Sequence, residues 1–163
     1  MLLSEQLDLI KKHQTKCPVQ TISIAAALKL KVFKSAKGMW PNNFSGMIRR
    51  SKNDLNSYEI YTNGDHHIHR RRFTIAHEIA HYVLHKDYIG DGITEDALYR
   101  SGLSTNMEIQ ANRLAADILM PWHLLDEKLD NGVSDIEELA ELFEVSKSSM
   151  SIRMRVPWET DTK

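Results

Sequence analysis

Two histidines and a glutamate lie within one five-residue segment, His77-Glu78-Ile79-Ala80-His81. On a helix, residues four apart lie on one face, about 6 Å apart along the axis. This spacing allows both imidazoles to bind one tetrahedral Zn²⁺, with Glu78 beside the open coordination position. Zinc and a carboxylate placed in this way activate water near neutral pH, as hydrolysis of a peptide bond requires. The segment therefore predicts His77 and His81 as metal ligands and Glu78 as the catalytic base.

The flanking residues predict that this segment is helical. Apolar side chains recur at helical spacing at Phe73, Ile75, Ala76, Ile79, Ala80, Val83 and Leu84. Gly90 and Gly92 interrupt the pattern, so we expect a buried helix over residues 72–85. His85 continues the four-residue series one turn further on, and we interpret it as a structural histidine at the helix end. The alternative is that these five residues occur together by chance on an ordinary core helix and bind no metal.

A catalytic zinc commonly takes a third protein ligand. One protease arrangement uses a histidine six residues after the pentad and a glycine after three, but Asp87 and Leu84 occupy those positions. Glu108 is the candidate instead, because it opens a second amphipathic helix that Pro121 ends. Asn112 follows one turn later on the same face and could orient a zinc-bound histidine.

Spacing alone leaves Glu108 with an alternative role. Thr105-Asn106-Met107-Glu108 also fits a capping box, in which the glutamate folds back onto the start of its own helix. Other carboxylates are available between the two helices, in a glycine-containing loop without a supporting helix: Asp87, Asp91, Glu95 and Asp96. Both interpretations of Glu108 stay open at this point.

With these motifs the sequence resembles the ImmA/IrrE family of metallopeptidases. The resemblance covers roughly residues 18–156 and rests on three segments: residues 72–81, residues 108–121, and Leu139-Ala140-x-x-Phe143-x-Val145-Ser146 with Arg153 behind it. Weaker agreement lies upstream, at Pro18-Val19, Leu30-Lys31-Val32, Ser45-Gly46 and Ile60-x-x-Asn63. Two departures are Ala80, where glycine is common in the family, and a denser basic cluster over residues 70–72.

The resemblance implies a zincin-like fold and a zinc site. It implies that His77, His81 and Glu108 are the ligands and that Glu78 is the base. It also implies a protein substrate, a DNA-binding repressor of the helix-turn-helix type that controls a phage, a mobile element or a stress regulon.

The composition of the chain restricts where in the cell we expect the protein and what we expect it to bind. The formal net charge of −1 gives no global field toward nucleic acid or membrane, so we expect no strong nucleic-acid binding. The single cysteine, Cys17, fits a reducing cytosol. The first ten residues lack the basic start and apolar core of a signal peptide, and no apolar run approaches the length of a membrane span. We therefore expect a cytoplasmic protein without a membrane partner.

The expected fold class is α+β, mostly helical, with a small antiparallel sheet of about three strands and a C-terminal helical hairpin. Helices are predicted near residues 2–13 and 22–28, and strands over 31–33, 44–50 and 58–62. Turn residues at 53–57 predict that the last two strands form a hairpin. Residues 58–62 are either the edge strand that binds substrate or an internal strand. We expect one compact unit, in which residues 1–133 form the metallopeptidase core and residues 134–163 pack on it.

The tail resembles a helix-turn-helix. Ser134-Asp135-Ile136-Glu137 fits a capping box, and Ser146 begins a second helix that continues to about Met154. The first helix is strongly acidic and the second is sparsely basic, which favours packing or partner docking over DNA binding. His66-His67-Ile68-His69-Arg70-Arg71-Arg72 fits either a solvated turn, which we favour, or a metal-binding or partner-binding tract.

The sequence therefore predicts a zinc-dependent endopeptidase that cleaves a specific regulatory protein. Candidates for stabilising the oxyanion are Tyr82, Tyr88, Tyr99 and His123. Two other classes of function remain as alternatives. One is a non-proteolytic regulator or toxin–antitoxin-type component that acts by protein binding, and the other is a DNA-binding protein using residues 134–156.

Overall fold

A long helix, α3 (Ile68–His85), lies at the centre of the molecule in a computed structural model that describes residues 1–90 and 104–156. Its inner face is closed to solvent at Ile75, Ala76, Ile79 and Ala80, as the apolar periodicity predicts. The helix begins four residues before the predicted start, because the ring of His67 caps it by accepting the backbone N–H of His69 at 3.1 Å.

Two helices precede the sheet, α1 (Leu3–Lys12) and α2 (Thr21–Ala27), close to their predicted bounds. After α3 and a 3₁₀ turn (Lys86–Tyr88), the described chain continues with α4 (Ser104–Leu119), which packs along α3. The remaining helices are α5 (Trp122–Asp130), α6 (Ile136–Phe143) and α7 (Lys147–Met154). None of the helices in the described residues combines the length and the apolar character that crossing a membrane requires.

The sheet has three strands in the described chain, β1 (Leu30–Lys34), β2 (Gly46–Arg50) and β3 (Tyr58–Thr62), in the order β1-β3-β2. The predicted hairpin is confirmed, since β2 pairs antiparallel with β3, with Ile48 opposite Ile60. The expectation of a wholly antiparallel sheet is wrong for β1, which runs parallel to β3. The last residue of β1, Lys34, and the first residue of β2, Gly46, both lie opposite Thr62 at the end of β3. Residues 35–45 therefore pass over that end of β3, and the chain returns along its other side in the opposite direction.

One face of the sheet packs on α3, where Ile48 and Ile60 are fully buried. Gly46 allows this close approach. A Cβ atom at Gly46 would collide with the carbonyl oxygen of Tyr61 and would lie 2.6 Å from Cγ2 of Thr74 on α3. The α+β class, mostly helical with a small sheet, is therefore confirmed, with mixed strand pairing.

Helices α6 and α7 form the C-terminal hairpin. The carboxylate of Asp135 caps α6 by accepting the N–H of Glu138 at 3.0 Å, so the predicted cap at Ser134 is wrong by one residue. The predicted cap of α7 is confirmed, since Oγ of Ser146 accepts the N–H of Ser149 at 3.0 Å. The predicted apolar stripe of α6 is buried at Leu139, Ala140 and Phe143 and half-buried at Ile136.

The hairpin is attached to the rest of the molecule by two arginines. Arg72 of α3 donates to the carbonyl oxygens of Phe143 and Glu144, at 3.5 and 3.2 Å, and to that of Val19 at 2.8 Å. Arg153 of α7 donates to the carbonyl oxygen of Met120 at 3.0 Å and pairs with Asp117 of α4 at 2.9 Å. Both contacts are long-range, so they fix the position of the hairpin against α3 and α4.

Candidate metal centre

Three predicted ligand residues meet where α4 packs on α3. The Nε2 atoms of His77 and His81 lie 3.1 Å apart. The carboxylate of Glu108 bridges them, with Oε2 3.1 Å from Nε2 of His77 and Oε1 2.9 Å from Nε2 of His81. All three ligand atoms lie within 4.8 Å of one another, and this cluster could hold a metal ion.

The capping alternative for Glu108 is contradicted by the position of its helix. Helix α4 begins at Ser104, so Thr105 lies inside the helix and Glu108 is beyond its first turn. The carboxylate is engaged with the two histidines of α3 instead. Of the other carboxylates considered, Asp87 is exposed in the 3₁₀ turn, and Asp91, Glu95 and Asp96 lie outside the described residues.

A hydrogen bond at Nδ1, on the side of the ring away from Glu108, fixes the tautomer of His77. Its Nδ1 lies 2.9 Å from Oδ1 of Asn112, the residue that the sequence predicts as a partner of a metal-bound histidine. An amide oxygen can only accept a hydrogen bond, so Nδ1 must carry the proton. Nε2 then presents its lone pair to the cluster, as a metal ligand must.

A second chain of hydrogen bonds supports His81, and the sequence did not predict it, since His85 was interpreted only as a structural histidine at the helix end. Nδ1 of His81 lies 2.9 Å from Nδ1 of His85, whose Nε2 lies 2.8 Å from Oε1 of Gln110. The amide oxygen of Gln110 accepts, so Nε2 of His85 carries a proton and Nδ1 of His85 can accept from His81. This direction leaves the lone pair of His81 on Nε2, facing Glu108. Gln110 was missed because its contact depends on how α3 and α4 pack.

The ionisation of the cluster reflects both burial and neighbouring groups. Burial opposes ionisation of Glu108, but hydrogen bonds and the charges of His77 and His81 outweigh it and hold its pKa well below the usual range. Burial opposes protonation of His77, but its contacts with Glu108 and the charge of Glu78 raise its pKa. Burial lowers the pKa of His81.

The surroundings of Glu78 raise the pKa of its carboxyl group. Its side chain is only 6% exposed, and burial, with a further contribution from the charge of Glu108, raises its pKa to about 7. The charge of His77 acts in the opposite direction. A carboxyl group with a pKa near neutrality can both accept and return a proton at physiological pH.

The three residues of the cluster line a pocket of about 260 Å³. Its walls come from α3, α4 and the segment 43–46 that leads into β2, and its lining residues include Glu78, Asn112 and the cation Arg70. Three of the predicted oxyanion candidates, Tyr82, Tyr88 and His123, do not line this pocket, and Tyr99 lies outside the described residues. Arg70, which donates to Oγ of Ser45 at 3.1 Å, is the arginine among the described lining residues.

The wall of the pocket adjoins an edge strand, which is β2. Residues 58–62 form the central strand β3, so their alternative role as a substrate-binding edge strand is excluded. Asn63, fully buried, holds the segment before β2 by donating from Nδ2 to the carbonyl oxygens of Pro41 and Phe44 at 3.1 and 2.7 Å. The edge beside the pocket therefore has a fixed position.

The histidine and arginine run over residues 66–72 is not the solvated turn that we favoured. His66 is buried, with Nε2 2.7 Å from the carbonyl oxygen of Asn42, and His67 caps α3. The arginines lie within the first turns of α3, where Arg70 faces the pocket and Arg72 is buried. The run therefore anchors the start of the helix that carries the histidine pair.

A comparison with known families decides the membership of this chain. The family described as Peptidase_M78, the IrrE N-terminal-like domain, matches residues 25–155. The chain belongs to this family. It is therefore a member of a metallopeptidase family, and the His77, His81 and Glu108 cluster is consistent with a bound metal ion.

Comparisons with individual proteins add information on the fold alone. The search of curated proteins finds no match. Among solved structures, a Mycobacterium tuberculosis transcriptional regulator is similar with a TM-score of 0.59 and 12% sequence identity. The similarity covers 98% of this chain but 48% of the regulator, so this member of the Peptidase_M78 family spans about half the length of that protein.

Proposed function

We propose that this protein is a zinc-dependent endopeptidase that cleaves a specific regulatory protein. The observation that carries the proposal is the convergence of three ligand atoms from His77, His81 and Glu108 within 4.8 Å. Two imidazoles and one carboxylate are a donor set found in catalytic zinc sites. Both imidazoles have their Nδ1 atoms engaged with Asn112 and His85, so both present Nε2 to the same point.

The chemistry divides between the metal and the chain. When bound, zinc supplies a Lewis acid that polarises a peptide carbonyl and lowers the pKa of water. Glu78, whose pKa is about 7, accepts the proton of the attacking water at its carboxylate and returns it to the leaving amine. Arg70 places a positive charge at the rim of the pocket, where it can attract an oxygen of the substrate backbone.

The substrate that we propose is a DNA-binding repressor of the helix-turn-helix type. Membership of the Peptidase_M78 family supports a protein substrate, and the similar solved structure is itself a transcriptional regulator. Cytoplasmic location belongs to the same proposal, because a repressor bound to DNA is reached there.

Glu78→Gln tests the proposal. The amide is nearly isosteric but cannot accept the proton, so the variant should keep about one zinc per chain and lose cleavage by several orders of magnitude. Purified protein would be incubated with helix-turn-helix repressors encoded next to its gene, with metal content measured in parallel. Glu59→Gln, a change at a buried glutamate on β3 outside the pocket, is the matched control.

Two results would contradict the proposal. One is cleavage by the Glu78→Gln variant at the wild-type rate. The other is a wild-type protein that binds zinc and the repressor but leaves the repressor intact, which would favour a non-proteolytic regulator.

A further inference from the structure

A groove of about 750 Å³ continues from the proposed active site toward the C-terminal hairpin. It lies between α4, the start of α5 and one face of α7. Phe73 and Asn112 line both this groove and the pocket that contains the histidine pair. A polypeptide bound in the groove would therefore extend directly to the proposed cleavage site.

The groove has large apolar side chains that water can reach. Ile109 of α4 is 44% exposed, Trp122 of α5 is 45% exposed and Ile152 of α7 is 76% exposed. All three are lining residues, and they come from three different helices. Exposed apolar residues gathered around one concavity indicate a surface that is covered by a partner.

The charged groups of the groove are predominantly positive. Among the described lining residues, Arg113, Arg153 and Arg155 are accompanied by one carboxylate, that of Asp117. Arg153 is already engaged, since it pairs with Asp117 at 2.9 Å and lies over the ring of Trp122 at 4.8 Å. Arg113 and Arg155 are exposed and have no ion pair within residues 1–90 and 104–156. Their charges are therefore available to an incoming ligand.

We propose that this groove is a docking site for an acidic, amphipathic helix of the protein substrate. The apolar face of that helix contacts Ile109, Trp122 and Ile152, and its carboxylates pair with Arg113 and Arg155. Apolar contacts supply affinity, and the two arginines supply orientation and faster association. This inference rests on the proposed function, because it assigns the groove to the substrate of the adjoining site. It explains how a small pocket selects one regulatory protein.

A nucleic acid is a poorer fit to the same surface. Binding to phosphates needs several cations and gains nothing from large exposed aliphatic side chains. In the described part of the chain, two lining arginines, Arg113 and Arg155, have no ion pair, and a charged backbone in the groove would meet the exposed side chains of Ile109 and Ile152.

The test measures binding separately from cleavage. The full-length Glu78→Gln protein would be titrated into a fluorescein-labelled helical peptide with leucines at i, i+3, i+4 and i+7 and glutamates on its flanks. A second peptide has lysine at every glutamate position. We expect fluorescence anisotropy to show binding of the acidic peptide, and binding of the lysine peptide weaker by about tenfold or more.

Matched variants of the Glu78→Gln protein separate the groove from general charge effects. Arg113→Glu with Arg155→Glu should weaken binding of the acidic peptide by at least about tenfold and restore binding of the lysine peptide. Lys31→Glu with Lys52→Glu makes the same change in net charge at exposed positions that do not line the groove, and should leave both affinities unchanged. Ile152→Ser should weaken binding of both peptides, because the apolar contact is common to them.

Three outcomes would overturn the proposal. The first is equal affinity for the acidic and the lysine peptide. The second is an equal loss of affinity for the acidic peptide in the two double variants. The third is binding of duplex DNA that Arg113→Glu with Arg155→Glu abolishes, while the acidic peptide does not bind. Failure of the proposed function would look different, since peptide binding would remain intact while no wild-type preparation cleaved a repressor.

Discussion

Each histidine of the proposed metal centre uses both of its ring nitrogens. Nε2 faces Glu108, while Nδ1 of His77 donates to Asn112 and Nδ1 of His81 donates to His85. Metal-bound histidines commonly donate to a carboxylate or a backbone carbonyl, and a carboxylate raises the basicity of the ligand. Neither Asn112 nor His85 is an anion, so they orient the rings without adding negative charge. Among the residues that the structure describes, Glu78 and Glu108 are the carboxylates that line the pocket.

Glu108→Gln should weaken zinc binding by orders of magnitude, because the change removes the anionic ligand that contacts both histidines. Asn112→Ala should have a smaller effect, about 10–100-fold, since it removes only the orientation of His77. Zinc titration against a chromophoric chelator measures both effects. Glu127→Gln on the exposed surface of α5 is the control. Unchanged zinc affinity in the Glu108→Gln variant would instead show that Glu108 is not a metal ligand.

His85→Phe should lower zinc affinity about 10–100-fold, because it leaves the N–H of His81 without an acceptor. His85→Asn should restore much of the affinity, since its amide oxygen can take the place of Nδ1. Thermal melts of metal-free protein, run beside the zinc titrations, distinguish this role from a structural one. If the His85→Phe and His85→Asn variants lose the same stability and bind zinc as tightly as the wild type, the role of His85 is packing alone.

At the scale of elements, helical periodicity made the histidine pair predictable, because i and i+4 positions share a face in any helix. It also placed Glu108 and Asn112 on one face of α4. Periodicity gives no information about which residues of two different helices meet. Gln110 and the groove could therefore not be predicted from the sequence, since both arise from packing between helices.

The bounds of elements were predictable to within a few residues, and the errors have local causes. The start of α3 was placed too late because a run of histidines and arginines has no apolar periodicity, whereas in the structure His67 supplies a cap. The pairing of β1 was wrong because its neighbour in space, β3, is not its neighbour in sequence. The β2–β3 hairpin was correct because a short turn joins the two strands.

Arg72→Met should destabilise the protein by roughly 2–4 kcal/mol, because it leaves the carbonyl oxygens of Val19, Phe143 and Glu144 without their donor. Burial lowers the pKa of Arg72, because it disfavours the charged guanidinium group. Hydrogen bonds to the three carbonyl oxygens offset this free-energy cost. Urea unfolding measures the change, with Arg71→Met as the neighbouring control. A loss below about 0.5 kcal/mol would show that Arg72 does not hold the hairpin in place.

At the scale of the whole molecule, α7 packs against the rest of the chain and does not project as a separate helix. Met150 and Ser151 are buried, and Arg153 binds Met120 and Asp117. A helix that reads the major groove must present several side chains to DNA. The acidic residues of α6 add repulsion toward phosphates. We therefore propose that residues 134–156 form one unit with the core, with one face of α7 completing the docking groove.

Phe143→Asp should unfold the whole molecule if the hairpin and the core are one unit. Phe143 is fully buried and its backbone carbonyl accepts from Arg72, so an unpaired charge there costs several kcal/mol, a large share of the stability of a small domain. Leu142→Asp makes the same change one residue earlier, at a side chain that is 36% exposed, and should cost much less. Calorimetry and zinc binding would be measured together. A single transition shifted to lower temperature, with zinc affinity lost at the same temperature, is the expected result for Phe143→Asp. Two separate transitions, with the zinc site intact after the first, would show that the hairpin is an independent appendage.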